Sequence, residues 1–300
     1  PAPFNTTDLQ SESYAQFKFS PTQTLSIAES LYQAGYISYP RSSSQKLPAN
    51  VGYEKILKAL GKLLPYQKFV EELLKKKQLK PVEGTKEDPA HPSVYATHET
   101  PDLKKLTAQQ KKIYDLIVRR TLSAFADIAT RESNTVSLDV NGNKFILAGK
   151  RTLNPGWTEI YSPYISREEI LLPEMKIGED AKVDNIEMLS KKTEPPGRYS
   201  QGSIVKELEK RNLGTKATRA EILQTLYDRG YIAGRNIQVT GLGEAVVGAL
   251  KRYCPRIVSE DLTRHFEEEM EQVYNGEKER EKVVEDAKKY TDYAKFSNDK

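Results

Sequence analysis

Apolar residues recur along this chain with two different periods, and the change of period divides it. After Ser20-Pro21, a capping side chain followed by a proline suited to the first helical position, Leu25, Ala28, Leu31 and Tyr32 form a helical stripe that Gly35 ends. Tyr36-Ile37-Ser38-Tyr39 then reads as extended. Helical patterns follow at 53–64 and 68–78, and Thr107 with Gln110 makes a capping box ahead of Ile113, Leu116, Ile117, Leu122 and Phe125. From Ser133 the period drops to two: Val136, Leu138 and Val140 alternate with polar residues, Asn141-Gly142 supplies a tight turn, and Phe145-Ile146-Leu147 returns as a hairpin. Short extended pieces are expected at 157–161 and 182–188, and 191–197 reads as a linker. Beyond it, 202–211 and 218–229 read as two helices joined by a short turn, followed by strands at 231–233 and 237–240, a winged-helix pattern. The charged tail, 277–300, reads as a solvated helix.

These patterns predict a mainly α chain with a smaller β part (α+β) in several domains with winged-helix-like units. A helical, winged-helix-like unit is expected at 1–130, a β-rich unit at 131–190 and a second helical unit at 191–300. One local design occurs twice: Ser30-Leu31-Tyr32-Gln33-Ala34-Gly35-Tyr36-Ile37 is echoed by Thr225-Leu226-Tyr227-Asp228-Arg229-Gly230-Tyr231-Ile232. By itself Leu-Tyr-x-x-Gly-Tyr-Ile is a good helix stop leading into a buried strand, which accounts for packing but not for the residues just after the first copy.

Charge changes the picture only by region. The chain of 300 residues carries a net +4, but residues 1–130 hold 18 Lys and Arg against 13 Asp and Glu, and 191–250 hold 10 against 6. The intervening 131–190 hold 7 against 10, and 251–300 hold 11 against 13. Two basic blocks therefore alternate with two acidic ones, and basic blocks can meet phosphates. Cys254 is alone, so no disulfide forms within the chain, and one Cys with three His cannot build a zinc ribbon or finger. No apolar run is long enough to span a bilayer, and Pro1-Ala2-Pro3 is no signal peptide, which predicts a soluble, cytoplasmic chain with no membrane partner. The missing initiator Met reads as a piece of a longer chain or of a split one.

The first copy of the repeated design runs into Tyr39-Pro40-Arg41. Proline disfavours helix at the residue before it, and in extended chain residues two apart share a face. Tyr39 and Arg41 then present together a phenol able to attack phosphorus and a guanidinium able to hold the phosphate. A phenol is a weak nucleophile until cations or a base favour its ionised form, so positive neighbours are required. The run Gly35-Tyr36-Ile37-Ser38-Tyr39-Pro40-Arg41-Ser42-Ser43-Ser44 resembles the active-site segment of type IA DNA topoisomerases, and the Gln45-Lys46-Leu47-Pro48 after it is similar to the archaeal topoisomerase I/III branch. The resemblance implies that Tyr39 becomes joined to a DNA 5′-phosphate and that Arg41 positions the scissile phosphate. The common Arg-Thr-Asp-Ser is replaced here by Arg41-Ser42-Ser43-Ser44, which puts any role of that Asp in doubt.

Two further segments occur in the family's order. Ala90-His91-Pro92-Ser93-Val94-Tyr95 is similar to Ala-His-x-Ala-Ile and makes His91 the candidate for a backbone contact near the cut, while His98 and His265 read as surface histidines. Pro195-Pro196-Gly197-Arg198-Tyr199-Ser200, and then 208–220 with Gly214, Lys216, Thr218 and Arg219, resemble the segments that grip single-stranded DNA, so Arg198, Lys216, Thr218 and Arg219 inherit that role. Thr218 opens a helix whose amides and positive dipole end suit phosphate. The likeness runs from Phe4 to about Tyr274. It implies relaxation of negative supercoils without ATP, and Mg2+ held by a Toprim domain or subunit that is not in this chain; no metal ligand is assigned here. A reverse gyrase module shares these motifs. A non-catalytic winged-helix DNA-binding protein would leave Tyr39 as a packing residue, and a tyrosine recombinase places its Tyr near the C-terminal end.

Overall fold

The computed structural model describes residues 1–166 and 168–296. Its first block is helical: α1 (Thr6–Phe17), α2 (Pro21–Gln33), α3 (Tyr53–Leu60), α4 (Gln67–Leu74) and α5 (Ala108–Ser123). Ser20 caps α2 by accepting from Gln23 N with Pro21 at the first position, and Thr107 with Gln110 forms the predicted capping box of α5. Helix α1 has no apolar stripe; Asn5 caps it, and it buries Thr6, Thr7, Gln10 and Ser13 beside Leu9 and Tyr14. One hydrophobic core, including Leu31, Ile37, Leu57, Ile113 and Ile117, joins these helices. Burial of such side chains contributes about 1.5–3 kcal/mol each.

The chain then leaves as an antiparallel hairpin, β1 (Thr130–Val140) paired with β2 (Asn143–Asn154), turning at Asn141 and Gly142 with φ of 53° and 83°. Two positive φ values in succession give the turn whose twist matches the strands. Residues 157–161 are not extended as their composition suggests. Pro155-Gly156 starts a single helical turn, α6 (Trp157–Ile160), with Trp157 N donating to Asp127 O at 2.8 Å. Trp157, Ile160 and Tyr161 have helical spacing, and Ile160 and Tyr161 join the core of the first block. Residues 182–188 form no ladder either: no strand pairs with them among the described residues, and Met188 is 96% exposed.

After residue 200 the chain is helical again: α7 (Gln201–Lys210), α8 (Arg219–Asp228), a minimal hairpin of β3 (Ile232–Ala233) and β4 (Gln238–Val239), then α9 (Gly241–Tyr253), α10 (Glu260–Tyr274) and α11 (Arg280–Phe296). Helices α9 and α10 are additions to the elements expected from the sequence pattern. The predicted tail helix corresponds to α11, and 297–300 lie outside the described residues. The whole is α+β. Helix α7 lies against α1 so closely that a Cβ on Gly202 would meet Tyr14 Cβ at 2.9 Å and Ser11 Cα at 3.2 Å. Among the described residues no helix is long and apolar enough to cross a membrane.

Candidate active site

Beyond Gly35 the chain is extended but belongs to no sheet, so individual hydrogen bonds set its course. On one side the first turn of α1 holds it: Thr6 Oγ1 donates to Pro40 O at 2.7 Å and accepts from Ser42 N at 2.8 Å, and Thr6 N donates to Ser42 O at 2.8 Å. On the other side runs the segment of residue 91 onward: Ser38 N donates to Tyr95 O at 2.9 Å and Ser93 N to Lys46 O at 2.9 Å. Pro40, Ser42 and Ser44 are buried by these contacts. Tyr39, Arg41 and Ser43 consequently face the other way, into a cleft of about 1080 Å³. The alternation expected from extended chain thus places the phenol and the guanidinium on one surface.

His91 comes to the same cleft from fifty-odd residues away in sequence. Its ring centroid lies 4.7 Å from that of Tyr39, and Tyr32 packs edge-on against the same phenol ring at 5.3 Å. The Tyr39 hydroxyl has no hydrogen bond among the described residues and the ring is half-buried at the cleft wall. Arg41 is held by Glu29 of α2, with Nε at 2.7 Å and Nη2 at 2.6 Å from Oε1, while Nη1 donates to Ala217 O at 3.4 Å. The guanidinium is oriented toward the facing unit and remains accessible, at 31% exposure.

The facing wall is the turn between α7 and α8. Lys216 enters the cleft and pairs with Asp88. Thr218 sits at the N-cap position of α8, but its hydroxyl turns back to accept from Thr215 N at 2.9 Å and does not cap the helix. Arg219 lines the cleft yet is 9% exposed; Nε donates to Leu213 O at 3.0 Å and Nη2 to Gly214 O at 2.7 Å, so it organises the turn from within. Arg198 is exposed in a stretch without regular secondary structure and does not line the cleft. Helix α10 adds Glu267, Glu268 and Glu271 to the lining, so phosphate would meet particular cations and not a uniformly basic wall.

Sequence reasoning missed the carboxylates that organise this site. Asp88 accepts from Ser43 N at 3.0 Å, Ser43 Oγ at 3.1 Å and Ala90 N at 3.1 Å as well as from Lys216, and its side chain is 3% exposed. Burial alone would raise its carboxyl, but the Lys216 ammonium and the Ser43 and Ala90 amides outweigh it and hold it well below the usual carboxylate range. Glu209 of α7 accepts from Thr7 Oγ1 at 3.0 Å and from Lys86 and lies 3.8 Å from Arg219, tying α1 to the second unit. Asp88 lies just outside the motif of residues 90–95, and Glu209 lies within the 208–220 segment without being singled out there; their side-chain partners Ser43, Lys216, Thr7 and Lys86 are distant in sequence, so no local signal marks either role.

Residues 1–285 match a family described as DNA topoisomerase. The chain belongs to that family, on its type IA branch. It is 48% identical over 289 residues to DNA topoisomerase 1 of Pyrococcus horikoshii, covering 96% of this chain and 42% of that protein. The corresponding protein of Methanocaldococcus jannaschii is 47% identical, covering 96% of this chain and 38% of its own length. Full-length topoisomerase I from Thermotoga maritima shares the fold, with a TM-score of 0.76 at 23% identity, covering all of this chain and 50% of the other. The topoisomerase chain therefore spans about two-fifths of the length of the curated relatives. The resemblance implies Mg2+. Among the described residues no three His, Cys, Asp or Glu side chains converge, and the two most enclosed carboxylates near Tyr39, Asp88 and Glu209, are bound to Lys216 and Lys86. These residues do not fit an Mg2+ centre, and no step assigned to this chain runs through one.

Proposed function

We propose that this chain carries the DNA-cleaving tyrosine and part of the single-strand grip of a type IA topoisomerase. Residues 1–130 are the tyrosine unit, 131–190 a β-rich arch whose residues 157–161 pack back onto that unit, and 191–300 a helical unit that holds single-stranded DNA. The observation that supports this best is the convergence of Tyr39 and Arg41 from one segment and His91 from another on one cleft faced by Lys216. Tyr39 Oη attacks phosphorus: the Oη–P bond forms, the P–O3′ bond breaks, the phenolic proton ends on O3′, and the 5′-phosphate stays on the protein. Arg41 exchanges Glu29 for the phosphate and, with Lys216, holds the charge that develops on it. His91 lies beside the phenol, where its ring can meet the same phosphate. The ester conserves the energy of the broken bond, so reversal reseals the strand without ATP.

Passing a second strand through the break relaxes negative supercoils, an activity of the whole protein that acts on DNA in the cytoplasm. Mg2+ would be held there by a Toprim part beyond this span. The test is covalent trapping of a 3′-labelled single-stranded oligonucleotide by the intact protein. Tyr39→Phe abolishes the adduct; an adduct that persists places the nucleophile elsewhere. The 300-residue chain alone binds the same oligonucleotide without relaxing supercoiled DNA, and Mg2+-dependent relaxation by it would overturn that division of labour.

A further inference from the structure

Three segments of the site meet at one carboxylate. Asp88 Oδ2 takes the Ser43 amide at 3.0 Å and the Ser43 hydroxyl at 3.1 Å from the Tyr39 segment, and it takes the Lys216 ammonium from the turn before α8. Its other oxygen takes Ala90 N at 3.1 Å, next to His91. The remaining carboxylates around Tyr39 have narrower reach: Glu29 holds Arg41, and Glu209 joins α1, Lys86 and Arg219 without touching the Tyr39 segment. The position of Asp88 also complements a departure in the sequence. Where the Arg-Thr-Asp-Ser pattern has an acid, this chain has Ser43, and the acid of residue 88, 45 positions away, lies against that serine's hydroxyl.

We propose that Asp88 is a positioning residue of the cleavage site, supplying from the His91 loop the negative charge that the Tyr39 segment lacks at position 43. It touches no reacting atom. It fixes Lys216 at the cleft wall and ties the His91 loop and the Tyr39 segment to one point, so that an incoming phosphate meets cations already in place. Without it, the Ser43 amide loses its acceptor and Lys216 is free to rotate. An aspartate at 43 would set its own carboxylate close to where Asp88 Oδ2 now lies, because that oxygen is in hydrogen-bond contact with the Ser43 side chain. The charge can therefore be moved from one segment to the other.

This inference rests on Tyr39 as nucleophile, and the experiment separates the two. Trapping rates of a 3′-labelled single-stranded oligonucleotide are measured on the intact protein for wild type, Asp88→Asn, Asp88→Ser, Ser43→Asp and the exchange Ser43→Asp/Asp88→Ser, with thermal midpoints alongside. Asp88→Asn and Asp88→Ser lower the maximal rate by about tenfold or more. Ser43→Asp alone, which sets two carboxylates against each other, also lowers it. The exchange recovers it to within about threefold of wild type, which a role confined to folding would not do and which holds even where Asp88→Ser folds poorly. Wild-type rates in Asp88→Asn, or an exchange no faster than Asp88→Ser, would overturn the role of Asp88 while leaving Tyr39 as the nucleophile. An adduct in Tyr39→Phe would remove both.

Discussion

The two copies of the Leu-Tyr-x-x-Gly-Tyr-Ile design end their helices in the same way and lead to different places. In the first, Gly35 has φ +79°, Gly35 N donates to Tyr32 O at 2.8 Å and Tyr36 N to Leu31 O at 3.0 Å. In the second, Gly230 has φ +68°, Gly230 N donates to Tyr227 O at 2.9 Å and Tyr231 N to Leu226 O at 3.0 Å. Both are the paired C-terminal bonds of a helix closed by a left-handed glycine. Past the stop they diverge. Leu31 and Ile37 are buried at 0% and 1% exposure, and the chain is held by the segment after residue 91 up to Tyr39 and by α1 immediately past it. Ile232 is only half-buried, in a hairpin of two residues per strand whose Val239 is 52% exposed. A local code sets the turn, and tertiary surroundings decide whether the next stretch of chain becomes a scaffold for chemistry.

The contrast is sharpest at the buried leucine. Leu31→Ala costs about 2–5 kcal/mol, whereas Leu226→Ala at the half-buried equivalent costs about 1 kcal/mol; equal losses in urea unfolding would erase the difference in burial. Next in size is the clamp that the second copy lacks. Asp88→Asn removes about 1.5–3 kcal/mol at neutral pH. Because the folded carboxyl lies below its ordinary value, that contribution is complete above about pH 4 and is lost as the pH falls further. Wild type and variant thus converge in stability in acid, and a gap that stays constant on acidification would contradict the pairing with Lys216. Smallest and most alike are the glycines. A Cβ at Gly35 comes no nearer than 3.9 Å to Glu99 and one at Gly230 meets nothing within 4 Å. Each Gly→Ala change costs only the left-handed conformation, about 1–2 kcal/mol, and losses differing by more than that range would show that the two stops are not equivalent.

What the sequence made legible was chemistry carried by neighbours: the Ser20-Pro21 start, the Thr107 box, the Asn141-Gly142 turn, and the side-by-side display of Tyr39 and Arg41. Each depends on residues within a few positions of one another. Helix α1 was not legible because four of its six buried residues are polar, and the two threonines find their partners far along the chain, Thr6 at Pro40 and Ser42 and Thr7 at Glu209. Residues 157–161 misled because two aromatics and an isoleucine suit a strand as well as a helical turn, and contact with the distant core decides between them. Asp88 is one acidic residue among 42 until the fold brings Ser43 and Lys216 to it. For the same reason Arg219, whose setting suggested an open cation, turns out to be braced inside its own turn.

The first turn of α1 gives three consecutive residues three different attachments. Thr6 grips the backbone at Pro40 and Ser42, Thr7 donates to Glu209, and Asp8 accepts from Gln45 at 2.8 Å and faces Lys206 at 3.4 Å. A single helical turn is therefore a shared anchor: through Thr7 and Asp8 it fixes α7, and through Thr6 it holds the short stretch that steers the Tyr39 phenol, so the far wall and the phenol are positioned from one point.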